Sequence, residues 1–468
     1  MQISVALKTL FLLLACASYQ TLEAQTQSNP VEQPERPWIH HYDQTLTMKV
    51  RVATKKLGGG TNLLIDLDHL MTVVEKMDQL TLGMPKILYL VGWQYDGHDS
   101  KYPAFFEVNP ALKRPQDATA LDSVKWFMRE ARQYHTTVSV HINMRDAYKN
   151  SPLWQEYAAH DLLIRGADGK LAQGGFWDGD QAYLVCYTKE WDAGFTQKRL
   201  DRLLALLPIA ESGTIHIDAF HTSQCAGQGI SREQETETQK KIIRYLRDHG
   251  IDVTSEFFSD FRIDPLLGLQ PMAWWFRRQE LNDYLVRPAS LFTGGVDETL
   301  GGKLFGTSMH GEDLIDKDPD GLTGFLREFC LQTVPWYYLN RHQRLRVELT
   351  PGVTEAYFSG DTETRVDAAG RIVMSEHGRV LRDGDDILIP ALWRTEPSLI
   401  AYSSAGYANR SWGLPPDWAR ASAVDIAEIT ASGWHHVGSV PVINGAVQLS
   451  LKPDQGLLLT LSQVSTVK

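Results

Sequence analysis

Residues 214–221 of this chain are TIHIDAFH, an apolar, β-branched run in which Asp218 and His221 stand near the end. Such a run predicts a buried strand that finishes in polar residues. Similar runs occur on both sides of it, separated by segments whose apolar residues have helical spacing. The predicted strands are 86–93, 137–143, 182–187, 214–221, 251–258 and 272–276, and the predicted helices are 117–135, 191–207 and 232–249.

The order of these elements predicts the fold class. Strands that alternate with helices indicate a parallel sheet of the α/β class. The alternation extends over residues 38–345, a length that fits a closed (β/α)8 TIM-type barrel better than an open sheet. No glycine-rich phosphate loop follows the early strands, which disfavours nucleotide binding. We therefore predict a catalytic barrel over residues 38–345.

The pattern changes at about residue 346. Short strands now alternate with turn pairs such as Asp383-Gly384 and Asn444-Gly445, which are typical of hairpins. Residues 346–468 are therefore predicted to form a small antiparallel β-sandwich domain that packs on the barrel.

Charge and composition limit the partners. The chain has 468 residues and a formal net charge of −11, which disfavours binding to nucleic acid or to an anionic membrane surface. A neutral substrate is easier to reconcile with this charge. The 13 Trp residues are numerous, and while most are expected in the core, some are candidates for lining a site. The oligomeric state is left open.

The N-terminus predicts export. Residues 1–24 have the form of a signal peptide, with Lys8 before a short apolar run. Cleavage after Ala24 and lipid attachment at Cys16 are both compatible with the sequence, so the mature protein would be periplasmic, extracellular or a cell-surface lipoprotein. Residues 25–37 are polar, as a linker would be. The other three cysteines are odd in number and widely spaced, which predicts buried free thiols.

Polar side chains near the ends of the predicted strands indicate a site. Active sites of barrels lie at the carboxyl ends of the strands. Four successive strands are followed by polar or ionisable residues, which is more informative than one such strand would be. The candidates are Trp93, Gln94, Asp96, His98 and Asp99, then His141 and Asn143, then Asp218 and His221, and then Glu256.

Asp218 and Glu256 are the candidate catalytic pair. They lie on consecutive predicted strands with one helix between them. Glycoside hydrolysis needs two carboxyl groups across the scissile bond, one to attack and one to donate a proton. Phe257 and Phe258 would raise the pKa of Glu256 by desolvation. The alternative is that each carboxylate only holds a loop through backbone N–H groups.

Other residues are candidates for binding a sugar. Asp99 could accept hydrogen bonds from hydroxyl groups, with His98 donating beside it, although a capped turn would use the same residues. Flat aromatic faces on which a pyranose ring could stack are offered by Trp177, which is followed by Asp178, and by Trp274 and Trp275.

Histidines leave a metal-dependent hydrolase or deacetylase as an alternative. His40-His41, the pair His98-Asp99, and His216 with Asp218 and His221 would supply ligands. A first strand with a His-x-His pattern is absent from the sequence, so we predict a site without metal or cofactor. A non-catalytic glycan-binding protein on the same fold is the other alternative.

At these residues the sequence resembles the endo-α-N-acetylgalactosaminidases, glycoside hydrolase family 101. Residues 92–99 (GWQYDGHD) resemble a family loop of the form Gly-Trp-Gln-x-x-Gly-His-Asp, whose Asp holds the terminal sugar. Residues 140–143 (VHIN) and the Trp177-Asp178 loop resemble family segments beside the sugar. Residues 217–220 and 254–256 fall where the family has its nucleophile and its acid/base. The resemblance covers roughly residues 86–276.

The resemblance implies a retaining mechanism on α-linked N-acetylgalactosamine in mucin-type O-glycans. Asp218 would attack the anomeric carbon, and Glu256 would protonate the Ser or Thr oxygen. The released unit would be a galactosyl-β-1,3-N-acetylgalactosamine disaccharide or a related α-linked sugar. The chain departs from the family in its shorter length and in residues 221–225 (HTSQC), which leaves the exact glycan open.

Overall fold

The computed structural model describes residues 20–23, 33–256, 266–274, 279–293 and 299–462. Its elements before residue 340 are β1 Gln20–Glu23, β2 Leu46–Arg51, β3 Ala53–Lys55, β4 Thr61–Leu63, α1 Leu67–Leu80, β5 Lys86–Val91, α2 Ala120–Glu130, β6 Thr136–Asn143, β7 Asp146–Ala147, α3 Trp154–Ala159, β8 Gln173–Trp177, β9 Asp180–Leu184, α4 Tyr187–Asp192, α5 Phe195–Leu206, α6 Ile209–Ser212, β10 Thr214–Asp218, α7 Arg232–Asp248, β11 Asp252–Ser255, α8 Leu281–Val286, α9 Leu300–Phe305, α10 Glu312–Lys317, α11 Phe325–Glu328 and α12 Val334–Leu339. The strands that follow are β12 Arg344–Thr350, β13 Val353–Phe358, β14 Thr362–Asp367, β15 Ile372–Glu376, β16 Arg379–Asp383, β17 Asp386–Pro390, β18 Ser398–Ser403, β19 Tyr407–Gly413, β20 Ala423–Thr430, β21 Gly433–Pro441, β22 Ala446–Leu451 and β23 Gln455–Leu461.

A parallel sheet forms the centre of the first part of the chain. Its five strands have the order β2-β5-β6-β10-β11, and every neighbouring pair is parallel. A parallel bridge from Ser255 to Ala273 extends the sheet beyond β11. The strands predicted at 86–93, 137–143, 214–221 and 251–258 are therefore confirmed within the described residues, although the strand that begins at Thr214 ends at Asp218 and the one that begins at Asp252 ends at Ser255. A closed eight-stranded ring is not seen in the part of the chain that the structure describes.

Two predicted elements differ from the structure. The run 182–187 was assigned to the alternating strands, but β9 pairs antiparallel with β7 and β8 in a separate three-stranded sheet. Ala182, Val185 and Tyr187 from this run still pack in the main apolar core. The helix predicted over 191–207 is divided into α4 and α5, because Gly194 adopts a left-handed conformation with φ of 77°.

Helices flank the sheet for reasons visible in the sequence. Thr119 and Asp122 form a capping box at the start of α2, and Ser231 and Gln234 do the same for α7. One face of α7 is buried and carries Ile242, Ile243 and Leu246, although the helix as a whole is strongly charged. The strands beneath are buried on both faces, as parallel strands covered by helices are.

The second part of the chain is one large antiparallel sheet. Eleven strands are joined in the order β1-β12-β13-β14-β15-β16-β17-β18-β23-β20-β21, and the pair β19-β22 packs over one end of it through an apolar cluster. An antiparallel β-sandwich was predicted, and the structure shows an eleven-stranded sheet with a two-stranded sheet packed on it. The sheet continues from β12 at Arg344, near the predicted boundary at residue 346, and the division into domains stays a prediction.

The N-terminal predictions fall largely outside the described residues. Cys16 and most of residues 1–24 are not described, and β1 pairs with β12. Within the ranges that the structure does describe, none of the helices has the length and apolar character needed to cross a membrane.

A buried ion pair fastens the helices to the loops after the sheet. Arg199 on α5 and Glu190 on α4 are almost completely buried, and Arg199 Nε lies 2.7 Å from Glu190 Oε1. The same guanidinium donates to the carbonyls of Pro103 and Met144, each at 3.2 Å. Met144 directly follows β6, so this ion pair supports the edge of the sheet.

Removing one partner of this pair should destabilise the fold. We expect Glu190→Gln to lower the free energy of unfolding by about 3–5 kcal/mol, because it leaves the Arg199 charge buried without compensation. Urea denaturation followed by circular dichroism measures this. Glu211→Gln, which alters an exposed pair with Arg132, is the control and should cost under about 1 kcal/mol. Equal changes in the free energy of unfolding for the two substitutions would contradict a structural role for the Glu190–Arg199 ion pair.

Candidate active site

Three neighbouring strands bring the candidate catalytic residues to one edge of the sheet. Asp218 is the last residue of β10 and pairs in register with Asn143 on β6, while His216 pairs with His141. Glu256 directly follows β11, the next strand. Carboxyl ends of parallel strands meet at the same edge, so the predicted convergence of these residues is observed.

Asp218 is enclosed by donors. Its Oδ2 lies 3.8 Å from His98 Nε2 and 3.8 Å from His141 Nε2, and it accepts a hydrogen bond from Asn143 Nδ2 at 3.5 Å. Burial by itself raises the pKa of Asp218, but the two facing imidazole rings and a hydrogen bond from Glu256 hold it well below its usual range. Asp218 is therefore a carboxylate at neutral pH.

His98 lies between two carboxyl groups. Its Nδ1 is 3.2 Å from Asp99 Oδ2, while its Nε2 faces Asp218. Burial lowers the pKa of His98, but Asp99 and Asp218 outweigh it and raise the pKa to about 9. Burial raises the pKa of Asp99 to about 6, although His98 opposes this. An imidazolium is thus available to hold Asp218 in place.

Glu256 is in a different electrostatic state from Asp218. Burial and the nearby Asp218 charge raise the pKa of Glu256 to about 7, although Lys49 lowers it. Lys49 Nζ lies 2.9 Å from Glu256 Oε1. The predicted contribution of Phe257 and Phe258 lies outside the described residues. A carboxyl group that titrates near neutral pH can give up a proton during catalysis.

Lys49 is a site residue that the sequence analysis missed. It lies on β2, its side chain is 9% exposed, and its ammonium group is 4.7 Å from the centre of the Trp274 ring. Burial lowers the pKa of Lys49, but Glu256, Glu312 and Asp218 raise it overall. The available signal was a lysine within the otherwise apolar run Leu46–Arg51 (LTMKVR).

A row of rings lies beneath the carboxylates. Its members are His98, His141, His216, Trp274 and His310, with successive ring centres 4.8–5.5 Å apart. Burial lowers the pKa of His141 and His216, which keeps these two rings neutral. Trp274 is completely buried in this row, so the prediction that it offers a stacking face was wrong. Trp275 lies outside the described residues.

The carboxylates open into a cleft of about 200 Å³. Helix α10 forms one side of its mouth with Glu312, Asp313 and Asp316, and Asp316 pairs with Arg51 at 2.6 Å. Burial raises the pKa of Glu312. The residues that line the cleft are Lys49, Arg51, Val91, His98, His141, Asp218, Glu256, Glu312, Asp313 and Asp316.

Trp93 and Gln94 are placed in the interior, not on this cleft. Trp93 is completely buried, and its Nε1 donates to the carbonyl of His141 at 2.9 Å. Gln94 is also buried, and its Nε2 donates to the hydroxyl of Tyr102 at 3.0 Å. Both were predicted as substrate contacts. In this structure Trp93 instead supports the strand that carries His141.

Asn143 contacts Asp218 and also holds the turn after β6. Its Oδ1 accepts hydrogen bonds from the backbone N–H groups of Arg145 and Asp146, and its Nδ2 donates to Asp146 Oδ2 at 3.0 Å. Asp146 was not predicted. Burial and the charges of Asp218 and Asp99 raise the pKa of Asp146 to about 7.

The remaining predicted residues lie around the site. Trp177 is exposed at the end of β8, and the charge of the neighbouring Asp178 raises the pKa of Asp99, so this turn lies beside the site. His221 lies in the loop after β10, where its carbonyl accepts a hydrogen bond from Arg145 at 2.9 Å.

Among the described residues, three groups of side chains have the geometry to hold a metal ion, and two of them lie at this site. These two are His98 with His141 and Asp218, and His141 with His216 and Glu256, and in each group the ligand atoms lie within 4.8 Å of one another. The Lys49 ammonium already occupies one oxygen of Glu256, and its charge opposes a cation there. His40, which the metal hypothesis included, instead contacts the carbonyl of Ser212 at 2.7 Å, before the amino end of β10.

Sequence comparison identifies relatives of the region that contains the site. Residues 60–267 match the family model described as endo-alpha-N-acetylgalactosaminidase, Glyco_hydro_101. A protein from Renibacterium salmoninarum, provisionally named an endo-alpha-N-acetylgalactosaminidase, is 22% identical over 432 residues. The match covers 86% of this chain, and the chain spans 25% of the length of that relative.

Solved structures agree on the fold. The alpha-N-acetylgalactosaminidase NagBb from Bifidobacterium bifidum, in complex with GalNAc, superimposes with a TM-score of 0.55 at 14% identity, covering 71% of this chain and 58% of that chain. Its complex with Gal-NHAc-DNJ gives a TM-score of 0.55 at 14% identity, over 72% and 59% of the two chains.

Together with the paired carboxylates, these matches make the region that carries the site similar to one class of protein, the glycoside hydrolases. Within that class, the similarity is to the endo-alpha-N-acetylgalactosaminidase family, whose model residues 60–267 match.

Proposed function

We propose that this protein is a retaining glycosidase that cleaves α-linked N-acetylgalactosamine from O-glycans, with Asp218 as nucleophile and Glu256 as acid/base. The observation that carries the proposal is the unequal state of two adjacent carboxyl groups. The pKa of Asp218 is held well below its usual range, while that of Glu256 is raised to about 7. Such a pair supplies an attacking carboxylate and a proton donor in one cleft.

The closeness of the two groups favours retention. Both line the same cleft, and an oxygen of each lies within 4.8 Å of a ring nitrogen of His141. Inverting enzymes keep their carboxyl groups roughly 6.5–9.5 Å apart to hold a water between them, whereas retaining enzymes need only about 5–5.5 Å.

The reaction would proceed in two steps. Asp218 attacks the anomeric carbon while Glu256 transfers its proton to the leaving oxygen, and the bond to the aglycone breaks. Glu256, now ionised, takes a proton from water, and the hydroxide oxygen displaces Asp218 from the anomeric carbon. His98 and Asn143 would hold the attacking oxygen still through both steps.

The substrate class follows from the relatives and from the surroundings of the cleft. The NagBb structures contain GalNAc and a related ligand, and we extend this sugar to the present chain. Asp99, Asp146 and Asp178 would accept hydrogen bonds from its hydroxyl groups. The exposed Trp177 is the remaining candidate for stacking on a sugar ring. The disaccharide with β-1,3-linked galactose is the preferred unit.

Barrel closure and export are part of the proposal. The chain returns from β11 towards β2, since Gly311 lies against Met48 and Thr293 donates to the carbonyl of Tyr42. These contacts support closure of the sheet into a (β/α)8 barrel. The signal-like N-terminus supports export, with or without a lipid at Cys16.

The cation beside Glu256 gives a testable pH dependence. Lys49 lowers the pKa of Glu256, so Lys49→Met should raise this pKa and keep the acid form at higher pH. We expect the alkaline limb of the kcat/KM profile to move up by roughly one pH unit. Lys170→Met, at an exposed site, is the control. A limb that does not move, or moves down, would exclude Glu256 as the titrating acid.

The proposal as a whole is tested with para-nitrophenyl glycosides of α-N-acetylgalactosamine, α-galactose and the galactosyl-β-1,3 disaccharide. Proton NMR of the first-formed sugar identifies the mechanism. Release of the α-anomer from the disaccharide supports the full proposal. Release from a monosaccharide only would keep the proposed mechanism and change the proposed substrate. A β-anomer would refute retention. Activity that a chelator abolishes would favour the metal-dependent alternative, and binding without any release would favour a glycan-binding protein.

A further inference from the structure

Two cysteines that are distant in sequence meet behind the nucleophile strand. Cys186 directly follows the β8–β9 hairpin and precedes α4, while Cys225 lies in the loop after β10. Their Sγ atoms are 2.7 Å apart across 39 residues of sequence. Both are buried in an apolar cluster with Ile164 and Ile230. The third described cysteine, Cys330, lies elsewhere in the core.

This separation is closer to a covalent bond than to a contact between thiols. A disulfide bond is about 2.05 Å long. At 2.7 Å the two sulfur atoms are closer than unbonded sulfur atoms usually approach. The other polar contacts of the two sulfur atoms are longer: Cys186 Sγ lies 3.4 Å from Glu235 Oε1, and Cys225 Sγ lies 4.0 Å from the carbonyl of Ser223.

A metal ion is the main alternative occupant. Glu235 on α7 lies near enough to both sulfur atoms to complete a three-ligand group. Its two oxygens, however, accept hydrogen bonds from the backbone N–H groups of Tyr187 at 3.1 Å and Thr188 at 2.8 Å. Glu235 is thus used to hold the first turn of α4, which leaves two sulfur atoms facing each other.

We propose that Cys186 and Cys225 form a disulfide bond in the mature protein. The two thiols lose two protons and two electrons, and the S–S bond forms. The acceptor is the disulfide of a thiol–disulfide oxidoreductase in an oxidising compartment, which becomes a dithiol through exchange. Because the pair is buried, the bond forms during folding, before the loop closes over it.

The bond would fasten the loop that continues from Asp218. Near its start, Arg145 donates to the carbonyl of His221 at 2.9 Å. The disulfide bond at Cys225 would hold the far end of this loop. Joining Cys225 to Cys186 connects this loop to the β8–β9 hairpin, which carries Trp177. The two segments that flank the sugar site would then move as one unit.

The experiment is oxidative refolding of the full chain with oxidised and reduced glutathione, followed by alkylation and non-reducing peptide mapping. We expect a Cys186–Cys225 linked peptide and an alkylated Cys330. In thermal unfolding, Cys225→Ser and Cys186→Ser should each lower Tm by roughly 4–8 °C. Adding reductant should lower the Tm of the unmodified chain by the same amount. The Cys330→Ser variant keeps the bond, so reductant should also lower its Tm.

Two results would overturn the proposal. One is alkylation of Cys186 and Cys225 after oxidative refolding to a native circular dichroism spectrum. The other is that the unmodified chain binds one equivalent of zinc and that neither serine variant binds it. Neither result bears on glycosidase activity, so the disulfide bond and the proposed reaction can fail independently.

Discussion

Asp218→Asn is expected to lower kcat by about 10⁴-fold or more, because it removes the proposed attacking oxygen and leaves an amide that cannot form the glycosyl intermediate. The side chain keeps its size, and Asn143 and His98 remain as neighbours, so the fold should persist. Initial rates on the para-nitrophenyl disaccharide measure the effect, and isothermal titration calorimetry with the released sugar shows whether the site still binds.

Asp248→Asn is the matched control for this substitution. Asp248 is the last residue of α7, and its exposed carboxylate pairs with Arg36. Its replacement should leave kcat within about twofold, because exposed pairs contribute little. If Asp218→Asn kept a substantial fraction of the activity, another residue would have to be the nucleophile.

Glu256→Gln should produce a loss that depends on the leaving group. General acid catalysis contributes about 10²–10⁴-fold, so we expect a loss of this size for a Ser- or Thr-linked glycan. A para-nitrophenolate leaves readily without a proton, so the first step on that substrate should be much less affected. Comparing kcat/KM on the two substrates for both proteins measures the difference.

The pH profile provides a second readout for Glu256. The alkaline limb near pH 7 should disappear in Glu256→Gln, since the titrating carboxyl group is gone. Glu237→Gln, an exposed substitution on α7, should keep the limb. Equal losses on both substrates, with the limb unchanged, would exclude Glu256 as the proton donor and point to another acid.

The parallel strands were the easiest part of the fold to predict. Residues 86–93, 137–143, 214–221 and 251–258 are apolar runs in which the polar side chains come late, and each run contains one strand of the sheet. Asp218 and Glu256 could be paired from this pattern alone, because neighbouring strands end at one edge. The protonation state of each carboxyl group could not be predicted from the sequence, because it depends on Lys49 and His98, which come from other segments.

Lys49 was missed for a physical reason. A lysine in a short strand is usually solvated, and only the tertiary structure shows that carboxylates compensate for its burial. Glu312 and His310 were also missed, because they belong to a segment without a strand pattern. Trp93 and Trp274 show the converse error, since an aromatic residue near a strand end fits the core as well as a sugar platform.

The acidic helix at the mouth of the cleft has a consequence for the order in which a decorated glycan is dismantled. Glu312, Asp313 and Asp316 on α10 line the cleft that the proposed substrate would enter. Sialic acid or sulfate groups near the cleavage point would have to enter against this field, and they would be admitted less readily at low ionic strength. Enzymes that remove such acidic caps would therefore act upstream, and this protein would take the uncharged core that they leave behind.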